Sequence, residues 1–155
     1  MKAVIQRVTC SSVEVDGKTV GKCGQGFMIL FCAVENDTQS DIELLAKKVS
    51  NLRVFEDDEG KMNRSILDTG GEILCISQFT LAADTRKGNR PSFIKAMEPV
   101  TAEKYYDMFC VALRSYGIKA VEKGIFGADM KVSLINDGPV TIILDTENWK
   151  KNNGN

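Results

Sequence analysis

Apolar and polar residues alternate along the start of the chain. Ala3, Ile5 and Val8 begin this pattern, and it continues to Val15. A period of two is typical of a β-strand that buries one face, because successive side chains point to opposite sides of a sheet. The Asp-Gly pair at residues 16–17 has the composition of a tight hairpin turn. The chain is therefore predicted to open as β-structure.

Two later segments are apolar without regular alternation. Residues 27–34 are continuously apolar, and residues 72–79 are largely so. The first run predicts a strand covered on both faces, and the second predicts a further, strongly apolar strand. Alternation returns at residues 118–121, 130–135 and 140–144, which predicts three further strands. The sequence thus predicts a sheet with a buried centre.

Two segments have the three- and four-residue spacing of amphipathic helices. In the first, predicted over about residues 38–52, Ile42 and Leu45 begin the apolar face. The second begins near Pro99 and stops at Gly117. Both helices have one polar face, so each is expected to lie on the surface of the sheet.

These elements predict an α+β fold. We expect a mostly antiparallel, curved β-sheet or barrel with the two amphipathic helices packed outside it. Residues 1–148 form a single domain in this interpretation, and residues 149–155 form a polar, disordered tail. Open edges of such a sheet favour pairing with a second subunit, so a homodimer is compatible with the pattern.

The amino-acid composition limits which catalytic groups and metal ligands the chain can offer. The chain has 155 residues, a formal net charge of -1 and no histidine. The lack of imidazole excludes the Ser/His/Asp and Cys/His nucleophile systems and the common zinc sites with histidine ligands. We therefore predict no metal site and no cofactor. Any catalysis has to use other groups.

The cysteines and the N-terminus bear on the compartment. The five cysteines are scattered along the chain, which fits neither a metal knuckle nor a secreted disulfide framework. The N-terminal pattern contains no secretion signal, and the longest apolar run is too short to cross a bilayer. We predict a cytoplasmic protein with reduced, mostly buried thiols and no membrane partner.

One candidate site lies where a strongly apolar strand ends. Ser77, Gln78, Phe79 and Thr80 place two hydroxyls, an amide and an aromatic ring within four positions. The loop that follows offers backbone N–H groups to a ligand oxygen. The alternative is an ordinary strand end, whose Ser and Thr cap a turn. A hydroxyl without a base is a poor nucleophile, so composition alone favours the alternative.

A second candidate lies at residues 136–141, where Gly138 precedes Pro139. Glycine before proline permits unusual backbone angles. Asn, Asp, Gly and Pro are also the standard turn residues, so an ordinary corner between two strands explains the same pattern.

Six segments occur together in the order and spacing of one known family. They are residues 1–8 (MKAVIQRV), 51–63, 77–81 (SQFTL), 84–93, 126–130 and 136–141 (NDGPVT). The chain resembles the D-aminoacyl-tRNA deacylases, formerly called D-tyrosyl-tRNA deacylases, nearly from end to end. The resemblance implies a homodimeric hydrolase that cleaves the ester of D-aminoacyl-tRNA. Glycine mischarged on tRNA would be released too, and the biological role would be chiral proofreading in translation.

The resemblance assigns the first candidate site to catalysis. It implies a binding pocket and oxyanion surface made of Ser77, Gln78, Phe79 and Thr80, with the 2′-hydroxyl of the tRNA assisting hydrolysis. Thr80 as a covalent nucleophile is the alternative, and it is the weaker one because nothing in the chain would deprotonate the hydroxyl.

The resemblance also assigns the second candidate site. Gly138 and Pro139, in a cis conformation, would reach into the site of the partner subunit. Their carbonyl oxygens would face the substrate α-carbon and collide with an L side chain, so selectivity would come from rejection.

Further residues match supporting positions of the family. Arg7 would brace the Gly-Pro segment, and its alternative is a surface arginine in a solvent-exposed ion pair. Phe126, Met130 and Asn136 would support the site, although Phe126 and Met130 alone would be assigned to the core. Arg86, Lys87 and Arg90 would contact phosphates at the acceptor end of tRNA, and their alternative is a solvated loop.

Two other functions remain as alternatives. A non-catalytic, dimeric module that binds tRNA or another nucleic acid is disfavoured by the acidic pI of about 5.6. Related deacylases that hold the Gly-Pro segment trans and accept L-alanine have a wider pocket. The 77–80 and 136–141 segments follow the D-specific pattern instead.

Overall fold

The structure is a computed structural model and describes residues 1–150. The strands in this part of the chain are β1 (Lys2–Val15), β2 (Lys18–Cys23), β3 (Gly26–Cys32), β4 (Phe55–Glu56), β5 (Met62–Arg64), β6 (Glu72–Ser77), β7 (Val121–Lys123) and β8 (Lys131–Asp145). The helices are α1 (Gln39–Ser50), α2 (Ile66–Thr69), α3 (Pro99–Ser115) and α4 (Glu147–Lys150), and a 3₁₀ turn covers Phe79–Ala82.

Strand β1 organises the main sheet. It pairs antiparallel with β3 through its first half, with β2 through its second half and with β8 along nearly its whole length. Strands β6 and β7 continue the sheet beyond β3. The backbone N–H of Lys22 in β2 donates to the Glu122 carboxylate of β7 at 2.6 Å. This contact brings the two ends of the curved sheet together, so the sheet is nearly closed.

The main sheet is mixed: the pairings of β1 with β2, β3 and β8 are antiparallel, and parallel pairings that local periodicity did not predict extend it beyond β3. β3 and β6 are parallel, as are β6 and β7. The connections from β3 to β6 and from β6 to β7 contain α1 and α3 respectively. Each returns the chain to the end at which the previous strand began, as parallel pairing requires. Local periodicity does not encode the direction in which a crossover returns.

The two long apolar runs are explained by cores on both faces of the sheet. On one face, Phe27 and Ile29 of β3 and Ile73 of β6 pack with buried residues of α1 and α3. On the other face, Met28 and Leu74 pack inside the curved sheet. Every position of β3 except Leu30 is buried, which confirms for this strand the prediction of two covered faces, and Ile73–Ile76 of β6 are buried as well.

The two long helices lie where the spacing predicted them. α1 carries a capping box in which Thr38 and Asp41 exchange hydrogen bonds, and its buried residues recur at helical spacing. α3 begins with Pro99 and is capped by the Glu98 carboxylate, which accepts from the N–H groups of Val100 and Thr101. The one-turn helices α2 and α4 were not predicted, because one turn is too short to develop a period.

The beginning and end of the described chain are joined. The Met1 ammonium group is buried and donates to Asp37 Oδ1 at 2.6 Å and to Thr146 Oγ1 at 2.8 Å. In α4, Lys150 donates to the Asp41 carboxylate at 2.9 Å. Ordered structure thus continues two residues past the predicted boundary at 148, and residues 151–155 of the predicted tail lie outside the described residues.

No helix in residues 1–150 combines the length and the apolar character needed to cross a membrane. Cys23, Cys32, Cys75 and Cys110 are buried, whereas Cys10 is exposed. The prediction of mostly buried thiols is therefore confirmed for the part of the chain that the structure describes.

Candidate active site

The first candidate site lies at the carboxyl end of β6. Ser77 is the last residue of the strand and pairs with Phe31 of β3. The Gln78 N–H donates to the Phe31 carbonyl at 2.7 Å, and the 3₁₀ turn begins at Phe79. The strand therefore ends two residues earlier than the pattern predicted, because the chain turns away from the sheet after Gln78.

The side chains of this turn constrain one another. Gln78 Nε2 donates to Thr80 Oγ1 at 2.6 Å, so the Thr80 hydroxyl acts as an acceptor there. Cys32 Sγ donates to the Phe79 carbonyl at 3.6 Å from beneath the turn. Burial raises the pKa of the Cys32 thiol to about 11, so it stays protonated and provides no nucleophile. None of these groups acts as a base near neutral pH.

A cavity of about 420 Å³ opens beside the turn. Ser77 and Phe79 form one wall, and the ring of Phe79 meets that of Phe93 edge to face at 5.1 Å between centroids. The other lining residues are mostly apolar: Phe31, Cys32, Ala33, Ala96, Met97, Glu98, Pro99, Ala102, Phe126 and Gly127. Its size and apolar character fit a small organic group, with a few polar atoms to orient it.

The walls come from segments far apart in the chain. The Met97 N–H donates to the Ala33 carbonyl at 3.1 Å, and this bond joins the end of β3 to the segment before α3. Glu98, Pro99 and Ala102 bring the first turn of α3 to the cavity. Sequence reasoning missed Phe93, Met97 and Ala102, because no short motif links them to residues 77–80.

Phe126 and Met130, which were predicted together, lie in different places. Phe126 lines the cavity and stands near Tyr106, with 6.3 Å between ring centroids. Met130 packs inside the curved sheet with Val132 and Leu134. Only Phe126 is therefore positioned to shape the cavity wall on this chain.

The Gly-Pro segment is an excursion within one strand. Asn136 of β8 pairs with Val8 and Thr141 pairs with Gln6, so residues 137–140 stand opposite the single residue Arg7. The Gly138–Pro139 peptide bond is cis. The prediction of a corner between two strands is thus wrong. β8 is one strand that continues through this segment, with four residues bulging out opposite the single residue Arg7.

Glycine is required at position 138. Its φ is +133°, which side chains rarely adopt, and an added Cβ would lie 2.8 Å from Val140 Cγ2 and 3.0 Å from Arg7 Nη2. The excursion therefore fits closely around the arginine.

Arg7 lies beneath the excursion and is only 7% exposed. Its Nη1 donates to the Val54 carbonyl at 2.6 Å and its Nε donates to the Asp137 carbonyl at 3.0 Å. The Asp137 carboxylate adds an ion pair at 3.7 Å. A surface arginine in a solvent-exposed pair does not describe this geometry. The guanidinium holds two backbone segments that are distant in sequence.

The two candidate segments do not meet on one chain. The excursion lies opposite Arg7 of β1, which pairs with Phe27 of β3, whereas Ser77 of β6 pairs with Phe31 of β3. Four residues along a strand correspond to about 13 Å, and the path from β8 through β1 and β3 to β6 crosses three spacings, or about 14 Å. Gly138 and Pro139 are exposed and lie outside the cavity lining.

The loop that carries Arg86, Lys87 and Arg90 is closed at its base. Asp84 and Ser92 exchange backbone hydrogen bonds at 2.8 and 2.9 Å. Arg86 donates to the Asp84 carboxylate through Nε and Nη2, and these bonds hold the pKa of Asp84 well below its usual range. Lys87 and Arg90 are exposed. Arg86 is therefore locally neutralised, which leaves Lys87 and Arg90 as the positive charges of this loop.

Residues 1–150 contain no cluster of three or more Cys, Asp or Glu side chains placed to hold a metal ion.

Comparison with known proteins identifies the family. The family described as "D-Tyr-tRNA(Tyr) deacylase" matches residues 4–145. The chain belongs to this family. The D-aminoacyl-tRNA deacylase of Porphyromonas gingivalis is 55% identical over 148 residues, which cover 96% of this chain and 99% of that protein. The D-aminoacyl-tRNA deacylase of Ruegeria pomeroyi is 54% identical over 145 residues, covering 94% and 99%.

Solved structures of similar fold carry two different descriptions. The "c-Myc DNA Unwinding Element Binding Protein" has a TM-score of 0.88 and 46% identity, and the match covers 94% of this chain and 98% of that chain. A probable eukaryotic D-amino acid tRNA deacylase has a TM-score of 0.77 at 18% identity, over 92% and 97%. The latter supports the fold alone.

Proposed function

We propose that this member of the deacylase family hydrolyses the ester of D-aminoacyl-tRNA and releases the D-amino acid and free tRNA. The observation that carries the proposal is the identity of 50–55% over nearly the whole chain to proteins named D-aminoacyl-tRNA deacylase. The cavity beside Ser77 and Phe79 is a suitable place for the reacting end of such a substrate. The role is chiral proofreading, which keeps D-residues out of translation.

The catalytic groups are the turn and the substrate itself. The first N–H groups of a 3₁₀ turn have no acceptor within the turn, so those of Phe79 and Thr80 are available to a developing oxyanion. No imidazole exists in the chain and Thr80 Oγ1 accepts from Gln78, so Thr80 has no base to activate it. The neighbouring 2′-hydroxyl of the tRNA assists hydrolysis, and orientation supplies the remaining rate.

Selectivity requires a second subunit. Gly138 and Pro139 are exposed and lie far from the cavity of their own chain. On the same strand, Ile135 and Ile143 expose 59% and 76% of their surface. In a homodimer the excursion of one subunit enters the cavity of its partner, and its carbonyl oxygens reject L side chains. Glycine has no side chain to collide, so glycyl-tRNA is cleaved too.

The acceptor end of tRNA meets the basic loop. Lys87 and Arg90 are exposed beside Arg86, whose charge Asp84 already offsets. We therefore expect Lys87 and Arg90 to contribute more to phosphate binding than Arg86. The reaction belongs in the cytoplasm, where aminoacyl-tRNA is used and where the five thiols remain reduced.

Release assays test this function. The protein is incubated with D-Tyr-tRNA, L-Tyr-tRNA, Gly-tRNA and L-Ala-tRNA, and amino-acid release is followed. We expect release from D-Tyr-tRNA and Gly-tRNA while L-Tyr-tRNA is spared. Strong release from L-Ala-tRNA would instead support the wider-pocket deacylases, and no release from any of them would contradict the proposal.

A matched pair of variants tests whether the cavity is the site. Ala102→Phe fills the cavity from α3 and should lower D-Tyr release on the order of 100-fold, because the substrate is displaced. Val111→Phe adds a similar ring on the same helix, at a position 61% exposed and outside the cavity lining, and should leave release unchanged.

The second candidate function is nucleic-acid binding without cleavage. It is favoured by the 46% identity to a protein named for binding a DNA element. The net charge of -1 and the Arg86–Asp84 pair provide little attraction to phosphate. Tight binding of tRNA or DNA together with no ester hydrolysis would establish this alternative.

A further inference from the structure

The base of the Gly-Pro excursion is closed by one side chain. Strand β8 leaves its ladder with β1 after Asn136 and rejoins it at Thr141. Asn136 Oδ1 accepts a hydrogen bond from the Val140 N–H at 2.9 Å, across the residues that leave the ladder. The amide thus replaces the partner that β1 does not offer to Val140. Asn136 joins the two ends of the excursion directly.

The Asn136 amide is also held from its other side. Asn136 Nδ2 donates to Thr141 Oγ1 at 3.0 Å. The Val140 N–H is a donor only, so the oxygen of the amide has to face it and the nitrogen has to face Thr141. Gln6 Nε2 approaches the same hydroxyl at 3.5 Å, which connects the group to β1. The Val140 N–H therefore sets which end of the amide faces it, and the Thr141 hydroxyl holds the other end.

The excursion is held at two levels. Arg7 binds the Asp137 carbonyl near its tip and the Val54 carbonyl behind it. Asn136 binds Val140 at its base. Val140 is buried while Gly138 and Pro139 are exposed, so the base is anchored and the tip is presented outward. If the Gly138–Pro139 backbone excludes L side chains by steric collision, it discriminates only when it is too rigid to move out of their way. Anchoring its base therefore bears on selectivity.

We propose that Asn136 is a positioning residue for chiral selection, held in place by Thr141 and Gln6. The inference rests on the proposed deacylase function. Asn136 touches neither the substrate nor the reacting atoms; it keeps the Gly138–Pro139 backbone from moving away from an L side chain. The loss of one such hydrogen bond should change selectivity by several-fold to about tenfold.

Paired kinetic and exchange measurements on the full chain test this role. In Asn136→Ala, the rate ratio of D-Tyr-tRNA to L-Tyr-tRNA release should fall by about tenfold, chiefly because L release rises. Hydrogen exchange at the Val140 amide should become faster in the same variant. Thr141→Val removes only the hydroxyl that holds the Asn136 nitrogen, so it should lower the ratio by a smaller factor.

The conservative variant and a control separate positioning from folding. In Asn136→Asp, the carboxylate still accepts from Val140 and the Thr141 hydroxyl donates to it, so selectivity and protection of the Val140 amide should be retained. Ser133→Ala, at an exposed position on the same strand, should change neither quantity. Melting temperatures of all variants identify any that fail to fold, and Thr141→Val still tests the proposal if Asn136→Ala does.

Three results would overturn the inference. An unchanged D/L ratio in both Asn136→Ala and Thr141→Val, with wild-type protein that discriminates, would refute the positioning role alone. Equal loss of ratio in Asn136→Asp and Asn136→Ala would refute the hydrogen bond as its cause. Wild-type protein that releases neither enantiomer would refute the proposed function, and the inference with it.

Discussion

The surroundings of the Thr80 hydroxyl bear on whether this residue attacks the substrate or only binds it. Its hydroxyl accepts a 2.6 Å hydrogen bond from Gln78, and the chain contains no histidine to remove its proton. A serine or threonine nucleophile in other hydrolases depends on such a base. The environment of Thr80 is therefore that of a residue that binds or orients.

Replacing Thr80 by valine separates the two roles. We expect Thr80→Val to lower the rate of D-Tyr-tRNA hydrolysis by no more than about tenfold, the value of one hydrogen bond. Loss of a true nucleophile costs on the order of 10⁶ in rate in a serine protease. Thr19→Val, at an exposed position on β2, serves as the control in the same single-turnover assay. A drop of several orders of magnitude would make Thr80 the nucleophile.

The pairing of β3 with β6 restricts which residue can occupy position 26. At the start of β3, Gly26 passes so close to β6 that an added Cβ would lie 1.9 Å from the Glu72 carbonyl oxygen and 2.6 Å from its nitrogen. Both are backbone atoms fixed in the parallel ladder, so neither can move aside. Glycine is required here by close approach of two strands.

Gly26→Ala should therefore destabilise the fold by about 2–3 kcal/mol, the upper part of the range for overpacking. Gly24→Ala, two residues earlier, brings its Cβ only to 3.4 Å from the flexible Glu72 carboxylate and should have little effect. Urea unfolding of the two variants measures the difference. Equal stability would indicate that the β3–β6 ladder can shift.

The helices and the strand β8 differ in how well their sequence predicted them. α1 and α3 bury one face each against the sheet, so their periodicity is read directly from the chain. Residues 136–139 have the composition of a turn, yet Arg7 and Asn136 hold them as a bulge within β8. The deciding partner, Arg7, is more than a hundred residues away, and turn composition carries no information about it.

Titration behaviour belongs to the whole molecule. The hydrogen bond from Asn63 holds the pKa of Asp57 below its usual range. Burial opposes ionisation of Asp145, but the hydrogen bonds from Lys2 and from the Glu147 N–H together with nearby positive charge outweigh it, so the pKa of Asp145 is lowered. At the other extreme, burial raises the pKa of Cys23 and of Cys32 to about 11. No histidine titrates between these groups.

Stability should therefore be nearly constant between about pH 5 and pH 7. A lowered folded pKa gives stability that is present above the unfolded value near 4 and lost as pH falls through the folded one, so acid destabilises the protein. For a thiol with a raised folded pKa, the unfolded state releases its proton first, so stability falls from about pH 9 to pH 11.

Thermal unfolding measured from acid to alkaline pH checks both the predicted loss of stability in acid and the predicted loss at alkaline pH. Cys23→Ala removes one of the raised thiols and should reduce the alkaline slope, while the acid limb remains. A steep change of stability between pH 6 and pH 7 would contradict this account, because no side chain has its usual pKa there.

The sequence by itself determined the long helices, the strand β3 with its two buried faces, the absence of imidazole chemistry and the family resemblance. Each depends on residues close together in the chain or on composition. The tertiary structure alone decided that the sheet is mixed and that Arg7 is buried beneath the excursion. It also decided that Phe126 but not Met130 reaches the cavity, and that the excursion lies away from the cavity of its own chain. These depend on contacts between distant segments, which packing selects and local patterns do not encode.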